Sequence, residues 1–115
     1  MCAVADSLTE NEIEEIAEYY AARSFVTAKQ EFDAAKAAAG REIHNQACEK
    51  CHIDGGSNPE EDAGILAGQW ADYLRTSFDA CMSGDRKPPK KMKEKMASLS
   101  DEDIDVLVHF YVSQQ

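Results

Sequence analysis

The chain has 115 residues, of which 43% are hydrophobic and 30% are charged, and its formal net charge is -10 at pH 7. This length and composition predict one compact domain with a single core, and no apolar run approaches the roughly 20 residues that a membrane span needs. The acidic balance argues against nucleic acid and against anionic membrane as partners. Charge is unevenly placed, because acids crowd residues 6–18 and bases crowd residues 86–95.

The first predicted element is an amphipathic helix over about residues 10–23. Thr9 and Glu12 have the spacing of a capping box at its start. Apolar side chains then recur on one helical face, at Ile13, Ile16, Ala17 and Tyr20. Because an isolated helix of this length is marginal in water, its apolar face is expected to pack on this chain, on a second copy of it or on a partner enzyme, the first two being favoured.

Three further helices and no strand are predicted downstream. An alanine-rich helix covers about residues 28–49, with a break considered near Gly40. The next covers about residues 69–83, and the last begins after Ser100. Between these two, the paired prolines within residues 87–90 require irregular chain. The pattern therefore predicts an all-α protein.

The pentapeptide Cys48-Glu49-Lys50-Cys51-His52 is the Cys-x-x-Cys-His signature of c-type haem attachment. Two thiols at this spacing can reach the two vinyl groups of one porphyrin edge, and the adjacent histidine can then bind the iron. A thioredoxin-like redox pair would need a βαβ pattern, which is absent from the sequence. A zinc site would need a further ligand pair, but Cys2 and Cys81 are isolated.

A second axial ligand for the iron is expected downstream of this motif. The candidates by residue type are Met82, Met92, Met96 and His109. Met92 is favoured because it follows the Pro88-Pro89 turn, where extended chain can present a sulfur atom to iron. Met82 and Met96 are equally consistent with ordinary packing.

From residue 33 to residue 115 the chain resembles class I c-type cytochromes, in particular small bacterial monohaem cytochromes c and one half of the periplasmic dihaem cytochromes c. The residues that carry the resemblance, besides the pentapeptide, are Gly40, Leu66-Ala67-Gly68-Gln69, Tyr73-Leu74, Met92 ahead of residues 99–104, and the pair Leu107 and Phe110. Two departures stand out. His44 replaces the family's usual aromatic, and Gly64 stands where many relatives have the proline whose carbonyl holds the ligating histidine.

The resemblance implies a class I cytochrome c fold, with three core helices around one haem and an extra N-terminal helix. Residues 1–27 would form the amphipathic helix and a linker, and residues 28–115 the monohaem domain. It also implies one covalent haem c on Cys48 and Cys51, with His52 and Met92 as the iron ligands. The expected haem wall is Leu66, Trp70, Leu74 and Leu107.

The function implied is electron carriage between redox proteins in the periplasm, without enzyme activity. Residues 1–10 lack the pattern of a secretion signal, so the chain is expected to be the mature form. Donor and acceptor are expected to dock at the basic rim, defined as Arg86 to Lys95, and the N-terminal helix is a candidate homodimer contact. Two alternatives stay open: a haem enzyme or gas sensor, if Met92 leaves the iron open, and an electron-transfer subunit of a larger oxidoreductase such as a flavin-dependent sulfide dehydrogenase.

The roles of the two remaining cysteines are open at this point. Cys81 falls on the third predicted helix and is consistent with a small core residue. Cys2 could be a lipidated N-terminus, a disulfide partner of Cys81, or incidental.

Overall fold

The computed structural model describes residues 2–59 and 63–115, and helices are the regular structure of these two ranges, which contain no strand. This confirms the all-α prediction. No helix in the two ranges is long and apolar enough to cross a membrane. The helices are α1 (Cys2–Ala5), α2 (Glu10–Ala21), α3 (Ala34–Ala47), α4 (Ile53–Gly56), α5 (Ala71–Ser83), α6 (Lys90–Met96) and α7 (Asp101–Val112).

Capping boxes begin α2, where the sequence predicts one, and α7. The Thr9 hydroxyl accepts a hydrogen bond from the Glu12 N–H at 3.3 Å, and the Glu12 carboxylate accepts one from the Thr9 N–H at 2.8 Å. Ser100 and Asp103 exchange the same two bonds at the start of α7. Both predicted helix starts are therefore confirmed, and their end groups are satisfied locally.

The helix predicted over residues 28–49 is wrong at its start, because α3 begins only at Ala34. Asp33 caps it, accepting hydrogen bonds from the N–H groups of Ala35 and Lys36 at 2.8 and 3.0 Å. The chain before Asp33 is extended and binds elsewhere in the protein. The N–H of Ala28 donates to the Gly68 carbonyl at 2.7 Å, and α3 continues without a break through Gly40.

Three short helices, α1, α4 and α6, were not predicted. The irregular chain expected at the paired prolines is confirmed for residues 87–89, but α6 begins directly after it, at Lys90. Pro89 stands at the N-cap of α6 with φ near -53°, a value that suits entry into a helix. Met92 therefore lies on a helix, and the extended chain expected at this residue is wrong.

The core is formed where α7 packs against both α3 and α5, and the contact between α3 and α7 is the most extensive of the helix pairs. The fully buried side chains of this core include Leu74 on α5 and Leu107, Val108 and Tyr111 on α7. Asp105 of α7 ties the three helices together at the surface. Its carboxylate binds Lys36 of α3 at 2.6 Å and Arg75 of α5 at 2.5 Å.

Gly40 lies where α3 and α7 approach to backbone contact. A Cβ atom at this position would clash with the carbonyl oxygen of Val106, and it would lie 2.6 Å from the Val106 carbonyl carbon and 2.8 Å from Cβ of Phe110. Two of these atoms belong to backbone and cannot rotate away. Only glycine therefore allows the crossing in its present geometry.

Every residue of α2 is exposed, so the apolar face predicted for this helix has no cover from the core. The side chains of Ile13, Ile16 and Tyr20 remain 48%, 44% and 69% exposed. Of the two arrangements favoured for this helix, packing on its own chain is therefore wrong. Contact with a second copy stays a prediction.

We expect Gly40→Ala to destabilise the protein, although alanine is the better helix former. Overpacking usually costs about 1–3 kcal/mol, and here the opposing atoms are backbone. The measurement is the free energy of unfolding of the holoprotein by denaturant titration.

Ala39→Gly is the matched control for this substitution. Ala39 is exposed on the same helix, so only the helix propensity changes, at a cost of about 1 kcal/mol. A Gly40→Ala protein that is more stable than the wild type would contradict the close crossing.

Candidate functional site

The Cys-x-x-Cys-His segment continues directly from the end of α3 as a further helical turn, here called the attachment loop (residues 48–52). The N–H of Cys48 donates to the His44 carbonyl at 2.8 Å, and the N–H of His52 donates to the Cys48 carbonyl at 2.9 Å. Cys48 and His52 are thus one turn apart on the same side of the chain. Both cysteines of the loop are free thiols, Cys51 exposed and Cys48 half-buried.

Glu49 fastens this loop to the helix that follows. Its carboxylate accepts hydrogen bonds from the N–H groups of Asp54 at 3.1 Å and Gly55 at 3.4 Å. Asp54 and Gly55 both have left-handed backbone angles, with φ of 56° and 68°, so the chain reverses sharply here. After the turn, the Gly56 carbonyl accepts from the N–H of Leu66 at 2.8 Å, which brings a predicted haem-wall residue back to the loop.

His52 has the features expected of a ligating imidazole. Burial is the main cause that lowers its pKa, so the ring is neutral near pH 7, and the neutral form is the one that binds a metal. Its Nδ1 is buried and has no hydrogen-bond partner of ordinary geometry among the described residues. The Gly64 carbonyl is nevertheless close enough to raise the pKa of His52 in opposition to burial, and Gly64 stands where many relatives have the proline whose carbonyl holds the ligating histidine.

The four residues expected on the haem wall differ in burial. Leu74 and Leu107 are buried in the core at 1% and 0% exposure, and Leu66 is half-buried. Trp70 caps the start of α5 and its side chain is 61% exposed, so it does not pack in the protein core. Its indole is therefore apolar surface that a porphyrin could cover.

The candidate second ligands lie on separate elements from the attachment loop. Met92 and Met96 are one turn apart on the same face of α6. Met96 is 5% exposed and lines a cavity of about 180 Å³, whereas Met92 is only half-buried. Met82, near the end of α5, is 45% exposed. His109 accepts a hydrogen bond from the Asp33 N–H at 3.1 Å through Nδ1, which engages it at the start of α3.

A charge on helix α6, that of Lys95, acts on the attachment loop. Burial raises the pKa of the Cys48 thiol, while the Tyr111 hydroxyl and the charge of Lys95 lower it. Lys95 belongs to the basic rim, and all six basic side chains of that rim are exposed. The rim therefore lies within charge range of a predicted haem-attachment residue.

A buried polar cluster beside the loop was missed by the sequence analysis. His44 is fully buried, its Nδ1 lies 3.0 Å from the Tyr111 hydroxyl, and its Nε2 binds the Glu49 carboxylate. Glu49 was treated only as a spacer between the two cysteines. The available signal was His44 itself, a polar residue at a position where the resemblance expects an aromatic.

The cysteines outside the loop are both free. Cys2 is exposed in α1 and Cys81 is half-buried in α5, so the Cys2–Cys81 disulfide considered above is absent from the described residues. Cys81 lines the same cavity as Met96. This placement is consistent with its role as a small packing residue.

These residues fit a covalently bound haem. Two free thiols and a neutral imidazole are held on one turn, and the unpaired ring nitrogen faces a nearby carbonyl. Within the two described ranges, no three acidic, cysteine or histidine residues gather into a group that could hold a metal ion by themselves. The attachment loop is therefore the site to which the chemistry points.

Comparison with known proteins agrees with this assignment. A search among curated proteins gives no match. The family model described as cytochrome c oxidase, cbb3-type, subunit III matches residues 35–110, which include α3 after its first residue, the attachment loop, α5, α6 and most of α7. The matched segment covers more than half of the chain. The cytochrome c domain implies covalent haem c at Cys48 and Cys51 and haem-based electron transfer. The chain belongs to this family, and it is a class I c-type cytochrome.

Proposed function

We propose that this protein is a periplasmic electron carrier, not an enzyme, which shuttles single electrons between a redox-protein donor and acceptor. The observation that carries the proposal is the attachment loop, in which two free thiols and a neutral imidazole share one helical turn. The haem supplies a one-electron iron couple when bound. The residues of the chain attach it, orient its ligand and exclude water.

His52 is the proposed first axial ligand of the haem iron. Burial keeps its ring neutral, and the carbonyl of Gly64 is the available acceptor for the N–H at Nδ1. Metal-ligating histidines usually donate their second ring N–H in this way, which fixes the ring's orientation. Leu74 and Leu107, which are buried, would keep water from one side of the group, with Leu66 and Trp70 completing the wall.

Met92 is the proposed second ligand. It lies on the same face of α6 as Met96, but its side chain is less buried and is not needed to fill the core. A thioether ligand favours the reduced iron, so a histidine–methionine pair gives a higher reduction potential than two histidines. Occupation of both axial positions would also leave no site for a substrate.

The basic rim is the proposed docking surface for redox partners. Its bases are exposed on a chain of net charge -10, so the protein has a strong charge asymmetry. The charge of Lys95 acts on Cys48, which supports the proposal of a positive rim near the haem edge that would exchange electrons. Such an arrangement steers an acidic partner surface toward that edge.

A second candidate function is that of an electron-transfer subunit within a larger oxidoreductase. The family is named for a subunit of an oxidase, and the apolar face of α2 is uncovered. An obligate partner would cover this face. Purification from the native source in a stable complex would favour this function over that of a free carrier.

Attachment is tested by mass. After maturation in a host that assembles c-type cytochromes, the denatured wild type should exceed the polypeptide mass by one haem. Cys48→Ala with Cys51→Ala should lose all covalent haem, because no thioether can form. Cys81→Ala is the control and should keep it, since Cys81 lies on α5 and not on the loop. A wild type with the bare polypeptide mass would contradict the proposal.

The second ligand is tested by comparing two methionines of the same helix. Met92→Ala should lower the reduction potential, abolish the long-wavelength absorption band of iron–methionine bonding in the oxidised protein, and let carbon monoxide bind the reduced iron. Met96→Ala should keep the band but lose about 2–5 kcal/mol of stability, because it empties a buried position. The reverse pattern of spectra would make Met96 the ligand.

The docking surface is tested by charge removal. Lys90→Gln with Lys91→Gln and Lys93→Gln should slow electron transfer to the physiological partner at low salt and flatten its salt dependence, because exposed charges are screened beyond about 10 Å at 0.1 M salt. Arg23→Gln with Lys29→Gln removes exposed bases outside the rim and serves as the control. Equal low-salt rates for the rim variant and the wild type would refute docking there.

A further inference from the structure

The buried polar cluster beside the attachment loop consists of His44, Glu49 and Tyr111, and it has no role in the function proposed so far. Among the described residues, His44 is the one classed as polar or charged that is buried, with 0% exposure. The rings of Phe110 and Tyr111 surround it, with centroids 5.0 and 5.5 Å away. Burying an imidazole here in place of an apolar ring requires that both of its nitrogens be satisfied.

Both nitrogens do have partners, and the chemistry of these partners assigns the protons. The Glu49 carboxylate can only accept, so Nε2 carries the hydrogen of that bond. In the neutral ring Nδ1 is then the acceptor, and the Tyr111 hydroxyl donates to it at 3.0 Å. The neutral state of His44 is therefore fully satisfied.

The charged state of His44 can be satisfied as well, after one rotation. A proton added at Nδ1 reverses that bond, so that Nδ1–H donates to the Tyr111 oxygen. The Tyr111 hydroxyl hydrogen must then turn to another acceptor, and the Cys48 sulfur lies within its interaction range. The added positive charge is paired with the Glu49 carboxylate, which offsets the cost of burying it.

Glu49 connects this buried ring to water. Its side chain is 40% exposed, and it lines an open surface pocket of about 360 Å³ together with Asn45 and Gln114. The carboxylate also accepts from the Asp54 and Gly55 N–H groups. A positive charge on the buried ring is therefore paired with a carboxylate that water can reach.

The other titratable groups around His44 hold one charge state near neutral pH. Burial raises the pKa of Glu49, but the hydrogen bonds from His44, Gly55 and Asp54 outweigh this effect and lower the pKa overall. This carboxylate therefore stays ionised. Burial raises the pKa of Tyr111, so the phenol stays neutral. Cys48 has no titratable thiol once its sulfur is bonded to the haem. The remaining neighbours are His52, which binds iron, Asp54 beyond Glu49 on α4, and Arg41 at the pocket on α3 itself.

We propose that His44 is the proton-binding site of a redox-linked protonation, in which the reduced protein binds a proton at this ring more tightly than the oxidised protein does. The inference rests on the proposed function as an electron carrier. Cys48 bears the haem and is one hydroxyl away from His44, so the charge on the iron and the charge on the ring repel each other. When the donor delivers one electron, Nδ1 of His44 takes up one proton from solvent, and oxidation by the acceptor returns both.

Reciprocal linkage gives the measurable consequence. Protonation of His44 must raise the reduction potential, so the midpoint potential of the holoprotein should fall as pH rises through the histidine range of about 5 to 8. Each tenfold difference in proton affinity between the redox states corresponds to a shift of about 59 mV for a one-electron couple. The ring of His44 should titrate at a higher pH in the reduced protein by the matching amount.

The experiment measures midpoint potential against pH by spectroelectrochemistry, together with nuclear magnetic resonance titration of the His44 ring in both redox states. Glu49→Gln removes the paired carboxylate and should move the fall in potential to lower pH. Tyr111→Phe keeps the ring's packing but removes the hydroxyl between His44 and Cys48, and should reduce the fall. His44→Phe should abolish it. His109→Gln, at a histidine engaged by the Asp33 backbone, is the matched control and should retain it.

Two results would overturn the inference. One is an identical titration of His44 in the oxidised and reduced wild type, which needs no variant to fold. The other is a pH-dependent potential that persists unchanged in His44→Phe, which would assign the linked proton to another group, such as a haem propionate. Failure of the proposed function looks different, because a protein without covalent haem would have no midpoint potential to measure.

Discussion

The close contact of α3 and α7 at Gly40 is the constraint on which the remaining structure depends. At this crossing a Cβ would meet the Val106 backbone and Phe110, so the two helices pack at backbone distance. The contact fixes the position of α7 relative to the chain from His44 to Cys48, which follows Gly40 by four to eight residues. Tyr111 consequently sits against His44, and the attachment loop begins one turn beyond it. A wider crossing would separate the hydroxyl from the ring and loosen the loop.

The same constraint explains why a histidine is tolerated where the family resemblance expects an aromatic. The aromatic faces of Phe110 and Tyr111 still enclose the ring, so its packing is that of an aromatic residue. The difference is that His44 has two polar nitrogen atoms at the edge of its ring, and each of them has a hydrogen-bond partner. Because one of the partners is Glu49, the spacer of the Cys-x-x-Cys-His motif also anchors the motif to the core.

How much could be predicted from the sequence depended on whether the controlling interactions were local. The patterns that begin α2 after Thr9 and α7 after Ser100 are local, and both helix starts were predicted correctly. The start of α3 was not, because the segment before Asp33 forms its hydrogen bonds with Gly68, which is distant in sequence. An alanine-rich sequence predicts a helix when such distant partners are unknown. Helix α6 was missed because paired prolines signal irregular chain and give no sign of where a helix resumes.

The buried cluster was missed for a different reason, which also bears on its function. Sequence reasoning assigns one role to each residue, but the properties of His44 belong to a set of three side chains brought together by tertiary packing. Neither Glu49 nor Tyr111 is unusual by itself, and only their arrangement gives the imidazole two satisfied charge states. Switching between those states needs the rotation of one hydroxyl and leaves the packed rings in place. An electron carrier benefits from such a device, because a proton can follow the electron while the helices around the haem keep their positions.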